Sequence, residues 1–216
     1  MGKDSKKGKE KKEARKAELA AEHARKDVVR AANAVIDPLE SLAPFRKYAR
    51  NGCDASFTVM KGADAPAEVH TFCYDLLHDN MHDAQVEAGF PWKESEVRGM
   101  LKDEVARLLL MKEGDAYVGF AHYRYELEGE CTVLTVYELI IAEAARGKGL
   151  GKHSMSLLEL VAMRHGMMFV MATVIKACDG AMRFFLGKMK YQVDEGSPSR
   201  CEIEDESSYE ILSKRW

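Results

Sequence analysis

The spacing of apolar positions divides the first half of the chain into helices and one strand. Val28 and Ala32 recur at helical spacing in a stretch without Gly or Pro, which predicts a helix from about 14 to 36. Pro38 should end this helix, and its apolar face should brace the rest of the domain. Further along, the pattern predicts a strand over 55–60 and helices over 66–81 and 93–101.

The second half begins with three β-rich runs. They are separated by the turn-like segments Glu113-Gly114-Asp115 and Glu128-Gly129-Glu130, which predicts an antiparallel meander. The runs cover 106–112, 116–127 and 131–142. There follow a helix over 149–165, a strand over 167–174, a helix over 180–188, and strands near 191–194 and 208–212. The predicted fold class is therefore α/β (α+β), a mixed sheet whose antiparallel meander passes into a βαβ half.

Length and composition fit one globular domain with a charged extension. The 216 residues (24.2 kDa) include 46% hydrophobic residues, which is enough to bury a core. The uninterrupted apolar stretches are only a few residues long, so no membrane contact is expected. The cysteines Cys53, Cys73, Cys131, Cys178 and Cys201 form an odd, widely spaced set. They indicate reduced thiols inside the cell rather than disulfides or a zinc site.

The net charge of −3 hides a strong asymmetry along the chain. Residues 1–16 hold eight Lys or Arg and three acidic residues, a net charge of +5. Residues 192–210 hold seven acidic residues and Arg200, a net charge of −6. The basic segment should be flexible or a frayed helix start, and it could serve nuclear import, contact nucleic acid, or only keep the protein soluble. These alternatives stay open.

A glycine-rich segment, Arg146-Gly147-Lys148-Gly149-Leu150-Gly151-Lys152, lies between a predicted strand and a predicted helix. Glycines at alternate positions allow a tight turn that exposes backbone N–H groups at a helix N-terminus, which suits a pyrophosphate. The P-loop pattern fails because Arg146 and His153 stand where Gly and Ser or Thr are needed. The Rossmann pattern fails because its third glycine comes one residue early. An anion-binding Arg-x-x-Gly-x-Gly loop and an ordinary glycine-rich turn remain.

This loop, after a β-meander and before a helix and a strand, resembles the coenzyme A pyrophosphate loop of the GNAT acetyltransferase superfamily. Other segments resemble the NatD type of N-alpha-acetyltransferase, which modifies the N-terminal Ser of two core histones. They include Tyr137-Glu138-Leu139-Ile140-Ile141, Asp194 to Ser199, and Ser208-Tyr209-Glu210-Ile211-Leu212-Ser213. The likeness spans nearly the whole chain. It implies a GNAT acyl-CoA N-acyltransferase domain over 46–216, preceded by a bracing helix over 17–45 and a basic flexible tail over 1–16.

The resemblance also implies a set of site residues. Acetyl-CoA, the co-substrate, would be held by Leu139, Ile140, Ile141, Arg146, Gly147, Lys148, Gly149, Leu150, Gly151, Lys152 and Cys178. The catalytic residues would be Glu138, as the general base, and Tyr137. The protein substrate would contact Glu126, Tyr137, Thr173, Ser197 and Tyr209. Adjacent strand residues point to opposite faces, so Tyr137 and Glu138 can share one pocket only at a β-bulge, which would also free a backbone N–H near Leu139 to polarise the acetyl carbonyl.

We therefore expect an N-alpha-acetyltransferase that modifies Ser-starting proteins, with core histone termini (Ser-Gly-Arg-Gly-Lys) as partners in the nucleus and cytoplasm. An α-amine, with a pKa near 7.7–8.0, asks less of a base than a Lys side chain near 10.4. The alternatives are a GNAT enzyme that acetylates a lysine side chain or a polyamine, and a catalytically weak GNAT module that binds chromatin. We expect a monomer, and the basic tail is the one segment through which direct contact with nucleic acid stays open.

Several positions depart from the family pattern. Gln85 and Phe90 stand where the family has Tyr and Trp, so substrate contacts could differ. Cys178 stands where the superfamily commonly has an Asn that touches coenzyme A, and Phe184 takes the place of a general-acid Tyr. His78 and His82 share a helix face, but no third ligand is evident and no metal is expected.

Overall fold

The computed structural model describes residues 3–201 and 206–216, and within them one mixed sheet organises the chain. Its eight strands lie in the order β1-β2-β3-β4-β5-β6-β8-β7, and only β5 and β6 are parallel neighbours. The strands are β1 (Lys47–Arg50), β2 (Cys53–Lys61), β3 (Arg107–Glu113), β4 (Ala116–Glu128), β5 (Cys131–Ile141), β6 (Phe169–Ile175), β7 (Gln192–Val193) and β8 (Tyr209–Arg215). The predicted meander followed by a βαβ unit is confirmed.

Helices cover both faces of this sheet. They are α1 (Lys3–Ala34), α2 (Ala67–Glu87), α3 (Glu94–Lys102), α4 (Leu150–Arg164), α5 (Asp179–Met182) and α6 (Pro198–Cys201). Short 3₁₀ helices cover Glu40–Phe45 and Glu143–Ala145, and a π-helical turn over Arg183–Lys188 continues α5. In the described residues, no helix has both the length and the apolar character needed to cross a bilayer.

Alternation along the strands assigns each face its own core. Leu109 and Met111 of β3 face the layer of α1 and α4, while Leu108 and Leu110 face the layer of α2 and α3. On β4, Tyr123 belongs to the α1 and α4 side, so the even-numbered residues that alternate with it lie on the opposite face. His122, Arg124 and Glu126 therefore lie on the face that α2 and α3 cover.

The N-terminal helix is longer than the sequence pattern predicted. It begins at Lys3 rather than near residue 14, so residues 3–16 are helical, which is the helix-start alternative of the two expected for this segment. Lys, Glu and Ala are strong helix formers, and this helical propensity needs no apolar face to act. From residue 9 to Ala21 every side chain is exposed, and only the later part, with Val28 and Ala32, packs on the body.

Strand β1 at the sheet edge was not predicted. It pairs with β2 through a tight turn at Asn51-Gly52, where both residues have positive φ. Residues 202–205 of the predicted acidic segment lie outside the described residues.

Candidate active site

A cavity opens where the two parallel strands of the sheet separate. The ladder between β5 and β6 ends at the pair Val136–Ala172, although β5 runs on to Ile141 and β6 to Ile175. The cavity, of about 430 Å³, lies between the diverging strands and beneath α2 and α3. Backbone groups of β5 that face β6 beyond Val136 therefore have no ladder partner on that side.

A β-bulge places two predicted catalytic residues at this opening. His122 of β4 pairs with Glu138, and the next residue, Tyr123, pairs with Val136, so Tyr137 is an extra residue in β5. The expected bulge is confirmed. It lets the adjacent residues Tyr137 and Glu138 both line the cavity, which a regular strand would forbid.

Glu138 has the electrostatic setting of a general base. Its side chain is largely buried at the cavity wall, and within the described chain its carboxylate has no hydrogen-bond or ion-pair partner. Desolvation raises the pKa of Glu138 to about 8, because burial without a partner disfavours the charged form. A carboxyl group with such a pKa can accept and return a proton near neutral pH.

Tyr137 is held by β4 across the bulge. Its hydroxyl donates to Glu126 at 2.9 Å from Oε1 and 3.2 Å from Oε2. Its ring stacks on His122, with centroids 5.0 Å apart. Burial, followed by the charge of Glu126, raises the pKa of Tyr137 to about 12, so the phenol keeps its proton in the working pH range. The structure thus joins Glu126 and Tyr137, two of the predicted substrate contacts.

The glycine-rich loop forms a cradle at the start of α4. Gly147 and Gly149 have φ values of +75° and +99°, a left-handed conformation that favours glycine. Gly149 is the N-cap of α4 and no side chain caps the helix, so the first N–H groups remain open to a ligand. A second cavity of about 380 Å³ lies at this loop and shares Leu139, Ala181 and Phe185 with the first.

These observations fit the pyrophosphate and pantetheine portions of acetyl-CoA. A Cβ at Gly149 would collide with the hydroxyl of Tyr48, so only glycine fits where the loop packs against β1. Arg146 lines the second cavity, and its guanidinium donates to the carbonyl of Ile141 at 2.9 Å and to Asn80. Arg146 therefore also ties the loop to β5 and α2.

The unpredicted strand β1 supports the same loop. The Tyr48 hydroxyl donates to the Lys148 carbonyl at 2.7 Å, and the Asn51 side-chain amide donates to it at 3.0 Å. Sequence reasoning missed both residues. The dipeptide Asn51-Gly52, a strong hairpin signal, could have revealed the strand that carries Tyr48.

Five further predicted cofactor contacts divide into two groups. Leu139 and Ile141 have side chains at the cavities, and Cys178 lies beside the larger one, where burial raises the pKa of its thiol. The side chain of Ile140 packs mainly in the core beneath α2, and that of Leu150 is 1% exposed in the opposite core. Ile140 and Leu150 would therefore serve a ligand mainly through their backbone.

The predicted substrate contacts are only partly brought together. Thr173 lines the cavity on β6. Tyr209, at the start of β8, lies against Phe90 with ring centroids 5.7 Å apart, and the Ser208 hydroxyl donates to the Ala88 carbonyl at 2.6 Å. These contacts join β8 to the loop between α2 and α3, over one side of the cavity.

The prediction that Ser197 contacts the substrate is wrong. Its side chain is fully buried, and its hydroxyl donates to Glu210 at 2.6 Å while it accepts the backbone N–H of Ile211 at 2.8 Å. A hydroxyl used in both directions inside the fold is not available to a substrate, so Ser197 has a structural role.

The two histidines on one face of α2 do not form part of a metal site in the described part of the chain. His78 and His82 stack on each other with centroids 4.8 Å apart and pack against Trp92. No group of three or more His, Cys, Asp or Glu side chains is arranged there to hold a metal ion.

Comparison with known proteins agrees with this geometry. Similar solved structures include Arabidopsis thaliana Naa50 with the bisubstrate analogue CoA-Ac-MVNAL (13% identity, 74% of this chain and 99% of that one, TM-score 0.52). An Elizabethkingia anophelis GNAT acetyltransferase with acetyl-CoA bound is also similar (13% identity, 75% and 98% coverage, TM-score 0.53). A third is Ard1 from Thermoplasma volcanium (15% identity, 74% and 97% coverage, TM-score 0.51). At these identities the likeness shows a shared fold. Residues 72–190, more than half of the chain, match the profile of the acetyltransferase (GNAT) family. The protein therefore belongs to the GNAT acetyltransferase family, whose acyl donor is acetyl-CoA.

Proposed function

We propose that the protein is an N-alpha-acetyltransferase that transfers the acetyl group of acetyl-CoA to the N-terminal amine of Ser-starting proteins, with core histones as its preferred substrates. The observation that carries this proposal is Glu138, a carboxyl group without a partner among the described residues, at the cavity between β5 and β6. The neighbours Naa50 and Ard1 are consistent with this activity only through the fold that they share with this chain.

The pKa of Glu138 matches an α-amine better than a lysine side chain. The raised pKa is about 8, close to the 7.7–8.0 of an α-ammonium group, so proton transfer between the two is nearly balanced. Transfer from a lysine ammonium near 10.4 would be uphill by about 3 kcal/mol, at 1.36 kcal/mol per pKa unit. The amine that suits this base best is therefore a chain end.

The shape of the entrance supports a flexible chain end as well. The contacts of Phe90 with Tyr209 and of Ser208 with Ala88 link β8 to the loop between α2 and α3. We propose that an extended terminus passes beside this link more readily than a lysine that projects from a folded surface. The surroundings, with Met81, Val97 and Met100, are apolar and favour a small first residue over a charged one.

The chain's own groups account for each part of the transfer. Bound acetyl-CoA would supply an acetyl group activated as a thioester, with its pyrophosphate at the loop from Arg146 to Lys152. Glu138 accepts the proton that the amine loses as the new N–C bond forms. The C–S bond breaks with its electron pair on sulfur, and the proton then passes to the thiolate or to solvent, which leaves Glu138 ionised again. An unpaired backbone N–H of β5 near Leu139 is the proposed donor to the acetyl oxygen.

The histone preference rests on charge and on the resemblance. A terminus that begins Ser-Gly-Arg-Gly-Lys carries several positive charges, and carboxylates such as Glu126 and Glu96 lie at or near the cavity. We also propose that the protein acts in the nucleus and cytoplasm. The exposed basic side chains of α1 are the part of it that would meet nucleic acid.

Mass spectrometry tests this function directly. Purified protein and acetyl-CoA are mixed with a Ser-Gly-Arg-Gly-Lys peptide whose α-amine is either free or blocked. We expect acetylation of the free peptide at its N-terminus, none on the blocked peptide, and a large loss in Glu138→Gln. Glu143→Gln is the matched control, because Glu143 is an exposed acid just after β5. Acetylation of the blocked peptide would instead make the protein a lysine acetyltransferase, and no turnover of either peptide would refute the proposal.

A further inference from the structure

Residues of β4 contact both the ring and the hydroxyl of Tyr137. His122, Arg124 and Glu126 alternate along β4 and share the face that looks toward α2 and α3. His122 stacks under the ring, the Arg124 guanidinium lies 5.1 Å from the ring centre, and Glu126 accepts from the hydroxyl. The extra residue of the bulge is thus held in one position by three alternate side chains on one face of its neighbouring strand.

The carboxylate of Glu126 has no cationic partner among the described residues. Arg124, two residues before Glu126 on the same strand face, instead pairs with Asp103 at 3.5 Å and donates to the Met100 carbonyl at 3.1 Å. Glu126 is partly buried, and both of its oxygens lie within hydrogen-bond distance of one phenol. A partly buried carboxylate that is satisfied only by a neutral hydroxyl favours a cation.

The Tyr137 hydroxyl has a single proton, and that proton is directed at Glu126. In this arrangement the phenol oxygen can accept a hydrogen bond at the cavity but has no proton to donate there. Tyr137 lines the cavity beside Glu138, whereas Glu126, which accepts from its hydroxyl, is not among the residues that line this cavity. The hydrogen bond to Glu126 therefore withholds a donor from the active site.

We propose that a cationic side chain of the peptide substrate pairs with Glu126 and so frees the Tyr137 hydroxyl to donate into the cavity, toward the negative charge that develops as the thioester is attacked. This inference rests on the proposed function. Only hydrogen bonds rearrange in the step, and no covalent bond forms or breaks. A Tyr137 hydroxyl with a pKa of about 12 would remain protonated and act purely as a hydrogen-bond donor.

If this is so, a positive charge on the substrate raises the rate of acetyl transfer (kcat) and does not act only on substrate binding (KM). If Glu126 merely attracted the peptide, a cationic residue would lower KM and leave kcat unchanged. If Glu126 releases Tyr137, the same residue raises kcat, because the freed donor stabilises charge that is present only in the transition state.

The experiment compares two peptides that differ in one charge. The first is Ser-Gly-Arg-Gly-Lys, and in the second citrulline, a neutral analogue of similar shape, replaces Arg. Steady-state acetylation of the α-amine, located by mass spectrometry, is measured for the wild type, Glu126→Gln and Tyr137→Phe. Glu128→Gln is the matched control, because Glu128 is an exposed acid two residues farther along β4 that raises the pKa of Tyr137 without a hydrogen bond to it.

For the wild type we expect kcat to be about tenfold higher with the arginine peptide, the size of one hydrogen bond to a developing charge. Glu126→Gln and Tyr137→Phe should bring the two kcat values together, and Glu128→Gln should keep them apart. A wild-type difference confined to KM, or a kcat difference that survives in Glu126→Gln, would overturn the inference. The comparison of the two peptides on the wild-type protein does not depend on whether any variant folds. If neither peptide is acetylated, the proposed function fails and this inference with it, whereas equal kcat values with active enzyme refute the inference alone.

Discussion

Replacing Glu138 with Gln should abolish most activity and at the same time stabilise the protein at alkaline pH. Burial raises the pKa of this carboxyl from 4.5 to about 8, whereas in the unfolded chain the group titrates near its ordinary value. Below pH 4.5 the group is neutral in both states and costs the fold nothing. As the pH rises toward 8, only the unfolded state releases the proton, so the stability of the wild type falls.

The size of this effect can be bounded. A shift from 4.5 to about 8 corresponds to at most about 5 kcal/mol, at 1.36 kcal/mol per pKa unit. The carboxyl borders an open cavity where water can solvate part of its charge, which reduces the expected effect to about 2 kcal/mol. Gln has nearly the same shape and does not ionise. The free energy of unfolding of Glu138→Gln, relative to wild type, should therefore rise by about 2 kcal/mol between pH 4.5 and pH 8.5.

Denaturant unfolding at those two pH values measures the stability difference, and kinetics with a Ser-starting peptide measure the loss of transfer. We expect kcat to fall by about 10²–10⁴ in Glu138→Gln, and the wild-type kcat/KM to rise with pH and level off above about 8. Glu143→Gln, in an exposed position, should change neither quantity. A Glu138→Gln protein with normal kcat, or with a stability difference that does not grow with pH, would show that Glu138 is not a desolvated base.

Three further changes test the loop and the corrected residue. Gly149→Ala should weaken acetyl-CoA binding at least tenfold in calorimetry, because the left-handed backbone and the Tyr48 hydroxyl leave no room for a Cβ; the exposed Gly187→Ala, with open space at that position, should bind normally. Tyr48→Phe, which removes the hydrogen bond to the loop, should raise KM for acetyl-CoA about threefold and leave KM for the peptide unchanged, whereas an equal rise in both would contradict a role in the loop. Ser197→Ala should lower the free energy of unfolding by about 1–3 kcal/mol, since it removes a buried hydroxyl that donates to Glu210, and a raised peptide KM at low temperature would instead restore the substrate contact first expected.

The length of α1 and the position of β1 show where pattern reasoning stops. The charged start of the chain has no apolar period, so nothing in the pattern distinguished a solvated helix from a flexible tail. Strand β1 is only four residues long and lies at the sheet edge, where half of its side chains can be polar without cost. The turn Asn51-Gly52 was its one local signal.

Ser197 and Glu126 show the same limit within the site. Both were inferred as substrate contacts from the resemblance. Ser197 is instead buried and bonded to β8, whereas Glu126 stays a proposed contact whose carboxylate accepts the hydrogen bond of Tyr137. Alignment with a motif places a residue in a segment, but the direction of its side chain depends on what packs around that segment.

The sequence by itself determined the order of the main helices and strands apart from β1, and the glycine loop before α4, while the bulge at Tyr137 and Glu138 was implied by the resemblance together with strand alternation. These follow from local rules, namely side-chain period, glycine conformation and strand alternation, which act over a few residues. Only the tertiary structure decided that β5 and β6 separate after Val136 and that Glu138 is desolvated there with a raised pKa. It also showed that the Tyr137 hydroxyl donates its hydrogen bond to Glu126. Those properties depend on burial and on contacts between distant segments, and these exist only once the whole sheet has formed.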